Sequence, residues 1–175
     1  MMKIITTPMC EDVLRISGLK EYEVVKPTEI KDADVAILLS ETKSEIPKIS
    51  IKLNTFRQVY DSIILIEKKF NTTADEKEVQ SIKHLIDENN QKKDNRKDTK
   101  VKVYSNFLKD TLIDMGFTVD DEDYDYIIMP DYMDADTENQ ENVIIVPSHK
   151  NVSNNIIERV KDRYDLLERK LCMKQ

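Results

Sequence analysis

A thiol and an imidazole lie in different halves of this chain of 175 residues. Cys10 falls at the start of the first expected helix. A helix N-terminus acidifies a thiol there and readies it as a nucleophile or metal ligand. His149 follows the last expected strand, close to Asn151 and Ser153, where it can carry a proton or take an anion. Each has a plainer reading, and the plainer one is preferred. A single Cys without a local partner is more often a small packed residue, and a single loop His an exposed one. His84, among Lys and Asp on a thin helix, reads as solvated.

In open α/β sheets, ligands gather outside the carboxyl ends of the strands. Those ends carry Thr7 and Cys10, Ser40 and Glu41, and Asn54 in the first half. In the second half they carry Asp131, Ser148, His149 and Asn151. These positions are the candidate ligand contacts, suited to a small anion or a nucleotide. Asp120, Asp121, Glu122, Asp123 and Asp125, followed by Asp131, Asp134, Asp136 and Glu138, are dense carboxylates, but their spacing lacks the central Gly of a calcium loop. They read as solvated loop, with no metal assigned. Tyr124, Tyr126 and Tyr132 interleave with the acids and suit a protein-binding edge. No catalytic residue and no cofactor is assigned. With only Gly18 and Gly116 in the chain, neither the dinucleotide fingerprint nor a P-loop can be written.

Charged residues make up 35% and apolar residues 39%, as in a globular protein with a well-solvated surface. A net charge of −7 repels phosphate backbones and anionic lipid, so neither nucleic acid nor membrane is an expected partner. The longest apolar runs fall far short of a bilayer span, and the first residues carry no signal-peptide pattern. Two cysteines at opposite ends, Cys10 and Cys172, read as free thiols in a cytoplasmic protein.

Asp32-Ala-Asp-Val-Ala-Ile-Leu-Leu-Ser-Glu41 is the centre around which these residues must be placed. An apolar run bounded by polar residues reads as a strand buried on both faces. It recurs as Asp123-Tyr-Asp-Tyr-Ile-Ile-Met-Pro-Asp131. Around the first centre the expected order is strand Lys3–Thr7, helix Met9–Ser17 closed by Gly18, strand Tyr22–Lys26, the central strand, and strand Lys48–Leu53. A helix capped by Asn54 or Thr55 then runs to Phe70. A thin helix follows over Asp75–Asn89, and Asn89–Lys100, with no apolar residue, reads as a mobile linker. The pattern then restarts: strand Val101–Tyr104, helix Phe107–Met115 closed by Gly116, strand Phe117–Val119, central strand Tyr126–Met129, acidic loop, strand Val143–Pro147. A long helix capped by Asn151 or Ser153 reaches about Leu171.

Gly18 aligns with Gly116 and Asp34 with Asp125, which points to an internal duplication. The expected fold is α/β, with mostly parallel, helix-covered sheets built from two related Rossmann-like or flavodoxin-like halves. The divisions are residues 1–88, a linker over 89–100, and 101–175. The halves either share one sheet or face each other across a cleft. The final helix carries Tyr164, Leu167 and Leu171 on an apolar stripe flanked by Arg159, Lys161, Arg163, Arg169 and Lys170. It is longer than one small sheet needs, so part of its stripe is expected to be exposed as a partner interface.

Lys3-Ile-Ile-Thr-Thr-Pro-Met-Cys-Glu-Asp-Val-Leu14, the Ala33–Glu41 strand and the Asn/Lys/Asp-rich linker resemble, over the first half of the chain, the small methanogen proteins grouped as methanogenesis marker proteins. The resemblance implies an accessory role in the activation or assembly of methyl-coenzyme M reductase. Without a Cys cluster, such a chain would bind neighbouring subunits and hold no iron–sulfur cluster. The expectation is a non-catalytic, cytoplasmic interaction subunit whose partners are other proteins. The alternative is an anion- or nucleotide-binding α/β protein or enzyme with a site between its halves.

Overall fold

The computed structural model describes residues 2–133, 142–148 and 155–172. The chain divides into two compact units, the first reaching His84 and the second beginning at Leu85.

The first unit runs β1 (Ile4–Thr6), α1 (Pro8–Ile16), β2 (Glu23–Val24), β3 (Val35–Leu39), β4 (Lys48–Ile51) and α2 (Phe56–Phe70). Its four strands are all parallel, in the order β2-β1-β3-β4. α1 has Pro8 in its first turn, and Gly18 just beyond it takes a left-handed φ of 84°. A Cβ at Gly18 would collide with the carbonyl oxygen of Thr73. Thr55 caps α2 by accepting from Gln58 N at 3.0 Å, while Gln58 Oε1 accepts from Asn54 N at 2.9 Å. Asn71 ends that helix in the left-handed conformation.

α3 (Glu76–Lys92) contains the boundary between the units. The second unit continues through β5 (Lys100–Val103), α4 (Asn106–Met115), β6 (Thr118–Val119), β7 (Tyr126–Pro130), β8 (Val143–Val146) and most of α5 (Ile156–Cys172). Its strands are again parallel, in the order β6-β5-β7-β8. Gly116 caps α4 at φ 102°, against the backbone of Lys93. The expected α/β class and the parallel sheets are what the fold contains.

The Asp before each central strand has one job in both units. Asp34 Oδ2 accepts from Lys3 N at 2.6 Å, and Asp34 N donates back to Lys3 O at 2.9 Å. Asp125 repeats this with Lys100, at 3.0 and 2.8 Å. The pair fixes where the first and central strands of each sheet start against each other.

The stretch Asn89–Lys100 departs from the expected mobile linker. α3 extends to Lys92, and a 3-10 turn follows over Lys93–Asn95. Asn89 and Arg96 are buried. Arg96 donates to Asn89 Oδ1 at 3.2 Å and to Met115 O at 3.0 Å, and meets Glu168 at 3.2 Å. Asn89 donates to Asp114, whose carboxylate also accepts from Tyr164 Oη at 2.6 Å. A polar stretch can thus be core when it supplies a hydrogen-bonded network, because each buried polar group has a partner.

The apolar stripe of α5 is a second correction. Tyr164, Leu167 and Leu171 are buried, Leu167 completely. The expected exposure rested on helix length, but length does not fix what lies against a helix.

Candidate functional site

Asp131 and Ser148, expected at the ends of neighbouring strands, are brought together. Ser148 Oγ donates to Asp131 Oδ1 at 2.6 Å, and Ser148 N donates to Oδ2 at 3.3 Å. The pair holds the chain as it leaves β8. His149 and Asn151, and the acids Asp134, Asp136 and Glu138, lie outside the described residues, as does Ser153.

Of the first-unit candidates, Thr7, Cys10, Ser40 and Asn54 are engaged within the fold. Cys10 is fully buried on the inner face of α1, so its thiol is packing. Thr7 is buried at the N-cap of α1. Ser40 donates to Ile51 O at 3.2 Å, and its own carbonyl accepts from Lys48 Nζ at 2.9 Å. Glu41 is exposed in the turn that follows, and Asn54 gives its N–H to Gln58.

The described second unit instead offers a pocket along α5. A cavity of about 370 Å³ is lined by Val146 and Pro147 at the carboxyl end of β8, and by Arg159, Asp162, Arg163, Asp165, Leu166 and Arg169 of α5. The α5 residues recur at helical spacing, on a face beside the buried stripe. Three arginines therefore line one space. Arg159 is 7% exposed. The Arg163 side chain keeps some exposure along its length, but its Nε is buried, and its Cζ sits 4.9 Å from the centre of the Phe107 ring. Burial, and then the like charge of Arg159, push the Arg163 guanidinium down to about 10. It remains a cation at neutral pH. Arg169 is exposed, and Asp165 pairs with Lys161 at 3.0 Å.

A guanidinium fork matches the two oxygens of a carboxylate or phosphate. Sequence reading noticed these arginines only as flanks of an apolar stripe. The available signal was the four-residue spacing of Arg159 and Arg163, which stacks them on one side of the helix.

Among the described residues, no three His, Cys, Asp or Glu side chains gather as a metal site, and no helix is long and apolar enough to cross a membrane.

These features define an α/β protein of two like units, one bearing an arginine-lined pocket at a strand end. Residues 98–172 match the MJ0786 family C-terminal domain. The uncharacterized protein MJ0786 of Methanocaldococcus jannaschii is 32% identical over 171 residues, covering 93% of this chain and 90% of that protein. The chain belongs to the MJ0786 family. The expected kinship with a methanogen's protein holds at that level, and the relative's name records no role in methanogenesis. In fold, the chain is similar to a mutant of the laminin-binding adhesin of Streptococcus agalactiae, with TM-score 0.69 and 11% identity over 98% of this chain and 100% of that one. It is also similar to the AdcAII protein of Streptococcus pneumoniae, with TM-score 0.65 and 11% identity over 97% and 98%. The solute-binding protein FpvC of Pseudomonas aeruginosa, solved with Mn2+, gives TM-score 0.61 and 13% identity over 98% of each chain. At such identity the likeness carries the fold alone.

Proposed function

We propose that this chain is a non-catalytic, cytoplasmic α/β protein that binds a small oxyanion in the pocket along α5. The observation that carries the reading is that Arg159, Arg163 and Arg169 line one cavity, in a chain whose net charge is −7. The fold is shared with proteins that bind solutes, although the arginine lining is opposite in charge to a metal site. Two free thiols, Cys10 and Cys172, are consistent with a reducing compartment.

Calorimetric titration with acetate, isocaproate and inorganic phosphate tests the reading. At least one oxyanion should bind, and affinity should fall as pH rises through about 10, where Arg163 loses its charge. Arg163→Gln should weaken binding at least about tenfold. Exposed Arg169→Gln, which leaves the core untouched, should weaken it by about threefold. Full-strength binding in both variants, or none to wild type, would refute the pocket.

A second reading, an accessory subunit docked on other proteins, is favoured by a groove of about 460 Å³ whose walls include Val103, Tyr104, Ile113 and Val119. Tyr104 and Ile113 are 45% and 54% exposed, large apolar surface of the kind found at interfaces. Assembly beside methyl-coenzyme M reductase, implied by the marker-protein resemblance, belongs to this reading. Affinity capture from a methanogen extract with wild type and Ile113→Asp tests it. A stable complex lost in the variant supports docking, and a wild-type chain that captures nothing removes it.

A further inference from the structure

β4 and β8 are corresponding outer strands, each four residues long and each paired with the central strand of its sheet. Alternate residues of a parallel strand bond to a given neighbour. In the first sheet Pro47 O accepts from Ala36 N and Ile51 O from Ser40 N, both at 2.9 Å. Lys48 and Ser50 therefore turn their N–H and carbonyl groups outward. In the second, Asn142 O accepts from Ile127 N at 2.9 Å and Val146 O from Asp131 N at 3.0 Å. There Val143 and Ile145 face outward, and neither meets a hydrogen-bond partner on that side among the described residues.

The two edges differ in chemistry. Lys48 brings an ammonium to the first, donating to Ser40 O and Thr42 O, and a charged edge resists a further strand. β8 reads Val143-Ile-Ile-Val146, β-branched throughout and with no polar side chain. Ile145 is 47% exposed. The remaining outer strands, β2 and β6, are two residues each and offer little to pair with. Among the described strands, β8 alone is a long, uncharged edge.

We propose that β8 joins a second copy of this chain, edge to edge and antiparallel. About a two-fold axis at Ile144, Val143 of each copy faces Ile145 of the other, and every outward N–H meets an outward carbonyl. No charge enters the seam, so none is desolvated unpaired. The net charge of −7 on each copy opposes approach, and salt screens that repulsion while leaving the strand pairing in place. A four-residue strand spans only about 13 Å, too little to bury the roughly 1,200 Å² of a standard interface, so the dimer is a weak one. The proposal rests on neither functional reading above.

Sedimentation equilibrium of the full chain tests it, with hydrogen exchange of the Val143 and Ile145 amides as a second readout. Wild type should dimerise with a Kd on the order of 100 µM, tightening as NaCl rises from about 0.05 to 0.5 M. The two amides should exchange about threefold more slowly at about 1 mM protein than at about 50 µM. Ile145→Pro deletes an outward N–H that β7 does not use, and should leave the chain monomeric at about 1 mM. Ile145→Lys, at an exposed side chain, should keep the wild-type melting curve and weaken the dimer about tenfold. Wild type that stays monomeric at about 1 mM in high salt overturns the proposal. So does a dimer that Ile145→Lys leaves intact, or one in which both amides exchange as fast as in the monomer, because its copies meet on another surface.

Discussion

The two sheets have the same strand order, the same parallel direction and the same aspartate latch, yet corresponding positions on one face carry opposite chemistry. Ile5 pairs with Ala36 in the first sheet, and Lys102 with Ile127 in the second, each two residues after the latched lysine. Ile5 is 1% exposed and packs in a cluster with Ile30, Ala36 and Leu38, beside Val25, Ala33 and Ile46. Lys102 is half-buried, its ammonium 5.3 Å from the Tyr104 ring and 5.5 Å from Tyr124. The segment between the second and third strands differs in parallel. In the first unit it runs from Val25 to Asp34 and contributes Val25, Ile30 and Ala33 to that cluster. In the second it is only Asp120–Asp125, with no aliphatic residue to contribute. That short segment is held by charge instead: Asp120 Oδ1 accepts from Glu122 N and Asp123 N at 3.0 and 3.1 Å, and Asp123 pairs with Lys100 at 2.7 Å. A duplicated strand order therefore tolerates a change from apolar to polar cover, provided the loop and the strand residue change together.

The sharpest way to break this comparison is to exchange the two residues. Ile5→Lys places an ammonium in an apolar cluster and should cost about 4 kcal/mol or more, read as a collapsed melting temperature. Lys102→Ile should stay within about 0.5 kcal/mol of wild type. If both substitutions cost the same, the two faces are not the different environments described.

The cap glycines test what the units share. Gly18→Ala and Gly116→Ala each force a left-handed residue against backbone, and each should cost about 2–3 kcal/mol in denaturant unfolding, with Gly18 the more sensitive because its added Cβ comes closer to a carbonyl. A neutral result at either position would show that the preceding helix ends in another way.

The latches are smaller. Asp34→Ala and Asp125→Ala each remove an exposed charge-assisted hydrogen bond, and should cost about 1 kcal/mol and by similar amounts. Opposite signs would show that the repeated bond does not do repeated work.

The smallest effect is a titration. Backbone N–H groups of Glu122 and Asp123 hold the Asp120 carboxyl below its ordinary value. A carboxyl lowered in the folded state contributes stability above its unfolded pKa, and that contribution is lost as pH falls through the folded value. Carboxyl-detected NMR should give Asp120 a midpoint below 3.8, moving toward 3.8 in strong denaturant. A midpoint at or above that value would remove the polar hold on the loop.

Much of the fold was legible because its signals are local. Gly18 and Gly116 announce helix ends, since a left-handed cap favours glycine. Asp34 and Asp125 recur immediately before their central strands, and Thr55 with Gln58 spells a capping box three residues apart. The site was far less legible. Cys10, the most suggestive single residue, is buried, while Arg159 and Arg163 were read as ordinary helix flanks. Arg96 sat in a stretch so polar that a linker was the natural reading, and only its contacts with Asn89, Met115 and Glu168 make it core.

The sequence by itself determined the alternation of strands and helices, the repeat, and the ends of most elements, because periodicity and backbone preference act over a few neighbouring residues. Tertiary structure alone decided which faces are covered. Helical spacing shows that Arg159, Arg163, Leu167 and Leu171 follow one another at four-residue steps along α5. It does not say which face meets the core and which lines a pocket. That depends on contacts such as Tyr164 with Asp114 and Arg163 with Phe107, between residues some fifty positions apart.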